Sequence, residues 1–294
     1  MAFLNFGSIN LDLVYRVDHV ARPGETIAAS TCERFAGGKG ANQSVALARA
    51  GAAVEHVGVV GEDGRWLIDL LGENGVGTTL TRVADGPTGH AIIQVDDAGE
   101  NAIVLLPGMN HRFDRASIDA ALDAAGPGDH VLVQNEINDV AAIIEAAARR
   151  GLTVCFNPAP YDDSIASMPL ERVDLLFVNE VEGAGLSGCA DPDGIADALA
   201  RRFPRTTVVL TRGADGADYR GSIGALHADA VSVPVVDTTA AGDTFVGFYL
   251  AGHAQGRAPG QCLDLARRAA ALTVTRPGAM PSIPTAAEVG DSNG

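Results

Sequence analysis

Short apolar runs alternate with amphipathic stretches along much of this 294-residue chain. Runs at 3–7, 130–134, 152–156, 173–178 and 206–211 have strand length and read as buried strands. Between the later ones lie helix-periodic segments at 138–150, which Gly151 ends, and at 191–203. Continuous apolar strands separated by amphipathic helices predict a mainly parallel sheet covered on both faces, a three-layer α/β/α core. Residues 24–36 and 88–106 differ: they alternate at period two, and the second turns at Asp96-Asp97-Ala98-Gly99. They predict a small antiparallel β lid, drawn from about 14–36 and 88–106, that would close a cleft against water. No linker, low-complexity run or repeat divides the chain, so 1–294 reads as one domain.

The pattern changes again near the C-terminus. Val231, Val233 and Val235 alternate as a strand that stops at Asp237-Thr238-Thr239. The small residues Ala240, Ala241 and Gly242 follow, and Asp243 opens a helix with Phe245, Phe248 and Tyr249 on its apolar side. A strand turning through small residues into a helix N-terminus presents unpaired amides to an anion. A carboxylate beside that anion can take a proton from an attacking hydroxyl, which is the minimal apparatus of phosphoryl transfer. The plainer alternative is that Asp243 merely caps its helix.

Polar residues collect at the ends of the predicted strands. Asn10 and Asp12 follow the first, suited to vicinal hydroxyls or to an Asx turn. Gln134-Asn135-Glu136, Asn157, Asn179-Glu180-Val181-Glu182 and Thr211-Arg212-Gly213 follow others, at the sheet edge where open α/β folds bind ligands. Gly37-Gly38-Lys39-Gly40-Ala41-Asn42-Gln43 runs into a helix and lacks Walker A spacing. Lys39 is the only lysine in a chain that otherwise uses arginine, which suggests that a compact ammonium is wanted there. Gly183 to Gly188 spells G-x-G-x-x-G, but Asn179 to Glu182 separate it from the strand, so the glycines read as the end of a short helix.

Composition then narrows the function. The net charge of -16 argues against nucleic acid and anionic membranes as partners, while a local anion hole with Mg²⁺ still permits a phosphate substrate. The opening MAFLNFGSIN has no basic or long apolar segment, and no run reaches the ~20 residues of a membrane span, so a cytoplasmic protein is expected. Cys32, Cys155, Cys189 and Cys262 are scattered and read as reduced core thiols.

GSINLD, GGKGANQ, PTG, GEN, NPAP, NEVE, VDTTAAGDTF and VTRPGAMPSIP, in that order, resemble the signatures of the ribokinase-like carbohydrate kinases, the PfkB family. The resemblance covers nearly the whole chain. It implies a three-layer core with a β lid, often shared between two subunits of a homodimer, and an ATP-dependent kinase acting on the 5-hydroxyl of D-ribose. By matching positions, Asn10, Asp12, Gly38, Lys39, Asn42 and Glu136 would bind the sugar, with Asp243 the base and Ala240, Ala241 and Gly242 the anion hole. Asn179, Thr211, Arg212, Gly213 and Gly216 would meet ATP, with Arg267 near the adenine. Glu182 would act through water on Mg²⁺. Asp237, Thr239, Thr273, Arg276, Gly278 and Ser282 match positions that hold an activating K⁺. The chain departs from the family pattern at Pro107-Gly108-Met109-Asn110, at Asn135 and at Arg267, which concern the acceptor and the base contact. A nucleoside kinase of adenosine or pseudouridine type, another PfkB sugar kinase and a sugar-binding regulator without activity are the alternatives.

Overall fold

The computed structural model describes residues 2–291. The chain opens with β1 (Ala2–Phe6), leaves the core for β2 (Asn10–Val17) and β3 (Ala29–Gly37), and returns with α1 (Lys39–Arg49). After β4 (Ala53–Val60), α2 (Arg65–Glu73) and β5 (Thr81–Val83), it leaves again as β6 (Gly89–Val95) and β7 (Asn101–Leu106). Strand and helix then alternate through α3 (Arg115–Asp123), β8 (His130–Gln134), α4 (Val140–Arg149), β9 (Thr153–Asn157) and β10 (Leu175–Asn179). They continue through α5 (Glu180–Ser187), α6 (Ile195–Arg202) and β11 (Thr207–Thr211). The ribbon β12 (Ala217–Gly221) and β13 (Gly224–Ala228) precedes α7 (Ala241–Ala254), α8 (Pro259–Val274) and α9 (Ala286–Asp291).

The main sheet runs β13-β12-β11-β10-β9-β8-β1-β4-β5, parallel except at the β11-β12-β13 edge. Period-two alternation along each strand splits its side chains between two cores. On β8, Leu132 packs with Val45, Phe248, Tyr249 and Leu263 from α1, α7 and α8. Its neighbours Val131 and Val133 pack on the opposite face with Ile118, Ile143 and Leu199 from α3, α4 and α6. Each such fully buried side chain contributes about 1.5–3 kcal/mol through apolar burial. This is the three-layer core that the periodicity predicts, and Gly188, at φ 68, ends α5 as read from the glycine run.

The segments expected to form a lid make a separate four-stranded sheet of order β3-β2-β6-β7, with the expected turn closed by the Gly99 amide on the Asp96 carbonyl at 3.0 Å. It is not wholly antiparallel: β2 and β6 pair in parallel. The chain between them, through β3, α1, β4, α2 and β5, returns to the core before leaving it again, and so the two strands run the same way. The lid strand expected from residue 24 starts only at Ala29, after a turn in which the Glu25 amide bonds the Arg22 carbonyl.

Three other expectations are corrected. No strand forms at 231–235: Pro234 has no amide to donate, and the Val236 and Asp237 amides instead bond the Val274 carbonyl at 2.8 and 3.2 Å. Of the four cysteines, Cys155 and Cys262 are buried but Cys32 is exposed and Cys189 half-buried. Fraying was expected past Glu288, yet α9 continues to Asp291 and Val289 is buried; 292–294 lie outside the described residues.

Candidate active site

The turn into α7 departs from ordinary helix starts. Ala240 takes a left-handed φ of 62, a conformation that costs a non-glycine residue about 1–3 kcal/mol and persists where the surroundings impose it. The Ala241 amide bonds the Thr238 carbonyl at 3.2 Å and the Thr244 amide bonds Ala240 at 2.8 Å. Between them, Gly242 and Asp243 supply the first-turn amides that a helix leaves without an intrahelical acceptor. A methyl group added at Gly242 would meet no atom within 4 Å, so the space before this turn is open. Of the residues expected to form an anion hole, Ala241 thus has its amide engaged, while Gly242, together with Asp243, keeps a first-turn amide facing the open space.

Asp243 is the third residue of α7 and does not cap it. Its carboxylate is held from α1: Asn42 Nδ2 donates to Oδ2 at 3.0 Å and Gln43 Nε2 to Oδ1 at 2.9 Å. The capping alternative is thereby set aside. The carboxylate is oriented by two side-chain amides and keeps lone pairs for a proton.

At the start of α1, Gly38 adopts φ 96, and a Cβ there would lie 2.9 Å from the Ser8 carbonyl. Only glycine allows that approach. Glu136 Oε2 accepts the Lys39 amide at 2.9 Å and the Ser8 hydroxyl at 2.5 Å, capping α1 with a carboxylate from the loop after β8. Burial draws the Lys39 ammonium pKa down, but Asp243, Glu136 and Glu182 outweigh it and the net direction is up. The lone lysine is thus a firmly charged ammonium among three carboxylates.

Asn10 and Asp12 lie on one face of β2, two residues apart. The expected Asx turn is replaced by strand. Asn10 Oδ1 accepts Asn110 Nδ2 at 2.7 Å, while Asn110 Oδ1 accepts the Ile9 amide at 3.0 Å. The Asp12 carboxylate sits where a Cβ on Gly37 would come within 2.1 Å of it. Burial, then repulsion from Glu136, raises Asp12 to about 6. It is a carboxylate held ready for hydrogen-bond donors.

A cavity of about 210 Å³ opens between the starts of α1, α5 and α7 and the ends of β9, β10 and β11, lined by Lys39, Asn157, Asn179, Glu182, Thr211, Thr238, Ala240, Gly242 and Asp243, among others. Asn179 and Glu182 form a reciprocal capping box on α5: the Glu182 amide donates to Asn179 Oδ1 at 2.9 Å, and Glu182 accepts the Asn179 amide at 2.9 Å. Burial raises the Glu182 pKa against the opposing pull of the Asn179 amide and Lys39, with Asp243 adding to the rise. Arg212 lies between Glu180, Asp193 and Asp218, so its guanidinium is held by protein carboxylates. Arg267 pairs with Asp264 and donates to the Asp229 carbonyl at 3.3 Å. Gly216 packs against the carbonyl of Ala228, the residue before Asp229. Gly213, at φ 55, makes the turn between Arg212 and Gly216.

The loop after α8 folds onto the turn before α7. Asp237 Oδ1 accepts the Thr239 amide and hydroxyl at 2.9 and 2.6 Å, and its Oδ2 accepts the Gly278 amide at 2.8 Å. These bonds lower the Asp237 pKa although burial pushes it up. Thr273, expected in the loop, is instead the penultimate residue of α8, its hydroxyl bonded to Ala269 and Thr244. Ser282 is buried with its hydroxyl on the Ala279 carbonyl at 2.6 Å, and Arg276 pairs with Glu288. Among the described residues, no three His, Cys, Asp or Glu side chains cluster as a metal-binding set.

The fold therefore gathers Lys39, Asn179, Glu182, Thr211, Ala240, Gly242 and Asp243 around one cavity, with Asn10, Asp12, Gly38, Asn42 and Glu136 beside it. Ser8, Gln43 and Asn110 hydrogen-bond to these residues; the first lies in GSINLD and the last in the 107–110 segment, but none is singled out by itself. The nearest sign is that Gln43 follows Asn42 inside GGKGANQ.

Comparison with known proteins shows what the whole chain is similar to. Residues 3–286 match the model of the pfkB family carbohydrate kinases. The chain is 33% identical to a ribokinase of Haemophilus influenzae over 96% of its own length and 95% of that protein's. The structure of Arabidopsis thaliana ribokinase complexed with ribose and ATP superposes with a TM-score of 0.89, at 30% identity, covering 99% of this chain and 98% of that one. A ribokinase from Cryptococcus neoformans in complex with ADP gives a TM-score of 0.87 at 33% identity, covering 99% of both chains.

Proposed function

The chain belongs to the pfkB family of carbohydrate kinases, and we propose that it is an ATP-dependent ribokinase that transfers the γ-phosphate to the 5-hydroxyl of D-ribose. One observation carries the reaction: the Asp243 carboxylate, held from α1, stands next to open first-turn amides and shares the cavity with Lys39. Asp243 takes the hydroxyl proton, while the Gly242 and Asp243 amides and the positive end of α7 stabilise charge on the transferring phosphoryl group. Asp12, Asn10, Asn42 and Glu136 bind the sugar hydroxyls, and Asn179 and the turn from Thr211 to Gly216 face the nucleotide. A regulator without activity would have no use for a strained turn and a pre-oriented base.

The residues fit the two cations of the proposal. Glu182 brings a buried carboxylate to the cavity wall, and Mg²⁺ typically takes one or two carboxylates together with water and phosphate. When bound, it would neutralise charge on the phosphates. Asp237, whose carboxylate is held by the Thr239 and Gly278 amides, brings hard oxygen donors to the turn before α7, which suits a monovalent ion such as K⁺. The proposal includes a cytoplasmic location and a homodimer through the lid, where Ile103 and Val104 are 59% and 66% exposed. No helix of the described residues is long and apolar enough to cross a membrane.

The test is a coupled ADP-release assay across ribose, deoxyribose, fructose, adenosine and pseudouridine, with Asp243→Asn alongside wild type. Ribose should be the preferred acceptor, and Asp243→Asn should lower its turnover by ~10²–10⁴. A preference for either nucleoside would replace the sugar assignment. Turnover within tenfold of wild type in Asp243→Asn would remove Asp243 as the base.

A further inference from the structure

A buried chain of polar side chains leads away from Asp243 beneath α1. Gln43 Nε2 donates to Asp243 Oδ1 at 2.9 Å and to Asn157 Oδ1 at 3.0 Å. Gln43 Oε1 accepts Gln134 Nε2 at 2.8 Å, and the same nitrogen donates to Asn5 Oδ1 at 3.0 Å. Asn5 Nδ2 donates to the Gly40 carbonyl and to Ser44 Oγ, both at 2.8 Å. Ser44 Oγ lies 2.8 Å from His56 Nδ1, and His56 Nε2 lies 3.2 Å from the Gly7 carbonyl. Asn5, Gln43, Ser44 and His56 are 0% exposed and Gln134 1%.

The direction of every bond in this chain follows from its ends. Backbone carbonyls only accept, so the Gly40 carbonyl obliges Asn5 to present its nitrogen there and its oxygen to Gln134. Gln134 must then present its nitrogen, which leaves Gln43 facing it with oxygen and facing Asp243 with nitrogen. Asn157 repeats the constraint, since its Nδ2 donates to the Phe177 carbonyl at 3.0 Å and leaves Oδ1 for Gln43. At the far end the Gly7 carbonyl takes a proton from His56 Nε2, which leaves Nδ1 to accept from Ser44. Burial agrees, holding His56 neutral with its pKa lowered to about 4. Gln134 Oε1 has no partner, so the network tolerates an unsatisfied buried oxygen where reversing the amide would set acceptor against acceptor.

We infer that Gln43 is a positioning residue for phosphoryl transfer, its amide polarised through Gln134 and Asn5 so that it donates to the Asp243 carboxylate. The inference rests on Asp243 as the base. Gln43 and Asn42 take one carboxylate oxygen each and so fix the plane of the group that must meet the substrate hydroxyl. Displacing a reacting group by about 1 Å can cost ~10² in rate.

Kinetics on Gln43→Met, Gln43→Glu, Gln134→Met and the Gln43→Met/Gln134→Met pair test this. Gln43→Met should lower kcat by about ten- to a hundredfold with KM for sugar and ATP nearly unchanged. Gln134→Met, which does not touch Asp243, should lower kcat about tenfold, and the pair should be no worse than Gln43→Met alone. Gln43→Glu preserves shape but turns an acceptor toward Asp243, so it should be at least as damaged as Gln43→Met. Wild-type kcat in Gln43→Glu, or multiplying effects in the pair, would overturn the inference. An activity-free arm measures urea midpoints for Asp243→Ala, Gln43→Met and their combination: coupling supports the bond, and additivity overturns it. If the wild type phosphorylates none of the sugars offered, the kinase reading fails, and this stability cycle still decides the polarised contact.

Discussion

Replacing Asp12 with Asn should make the protein more stable and weaken its hold on ribose. Burial and Glu136 raise the Asp12 carboxyl from an ordinary 3.8 to about 6. The folded state therefore holds its proton more tightly than the unfolded chain does. The resulting penalty is absent below 3.8, grows between 3.8 and 6, and is complete above 6. At pH 7.5 it is worth up to about 3 kcal/mol, and at pH 4.5 about a third of that. Asparagine carries no charge in either state and escapes the penalty. Discounting for partial exposure to about 2 kcal/mol, and taking about 2 °C per kcal/mol for a chain of this size, Asp12→Asn should raise Tm by about 4 °C at pH 7.5. The gain should shrink to about a third at pH 4.5. Ribose binding, followed by calorimetry, should weaken at least tenfold, because asparagine offers one acceptor oxygen where the carboxylate offers two. Differential scanning calorimetry of wild type and variant at both pH values is the assay. An equal Tm change at the two pH values would show that Asp12 is not a strained carboxylate. Undiminished ribose binding would place the sugar elsewhere.

Three other outcomes follow from the site. Lys39→Arg should damage kcat/KM nearly as much as Lys39→Ala, with Tm close to wild type, because the larger planar guanidinium does not fit between Gly38 and Gly40; recovery of most activity in Lys39→Arg would show that charge alone matters. Exchanging K⁺ for Na⁺ at fixed ionic strength should lower kcat if the Asp237 turn orders around the larger ion, and equal rates in both salts would make that turn purely structural. His56, held neutral with its pKa lowered to about 4, binds a proton in the unfolded chain before it does in the folded one, so stability should fall as pH drops from 6.5 toward 4. His56→Asn should flatten that part of a Tm-against-pH curve, and an unchanged slope would refute the assignment.

The sequence by itself determined the layered core and most of the residues around the cavity. Apolar runs such as HVLVQ and LTVCF have one stable use, as strands buried on both faces, and the polar residues that follow them must then emerge at one edge. The glycines flanking Lys39 and the small residues before Asp243 were equally legible, since a close backbone approach excludes larger side chains. Tertiary structure decided what depends on partners distant in the chain. Val231 to Val235 have strand periodicity, yet Val274 supplies the acceptor that draws this segment away from the sheet. The parallel pairing of β2 with β6 follows from the path taken between them, which neither strand encodes. Asp243 looks like a helix cap in isolation, and only the arrival of Asn42 and Gln43, some 200 positions earlier in the chain, frees it from that duty. Gln43 itself is an ordinary polar residue until burial removes water and leaves its amide one direction to point.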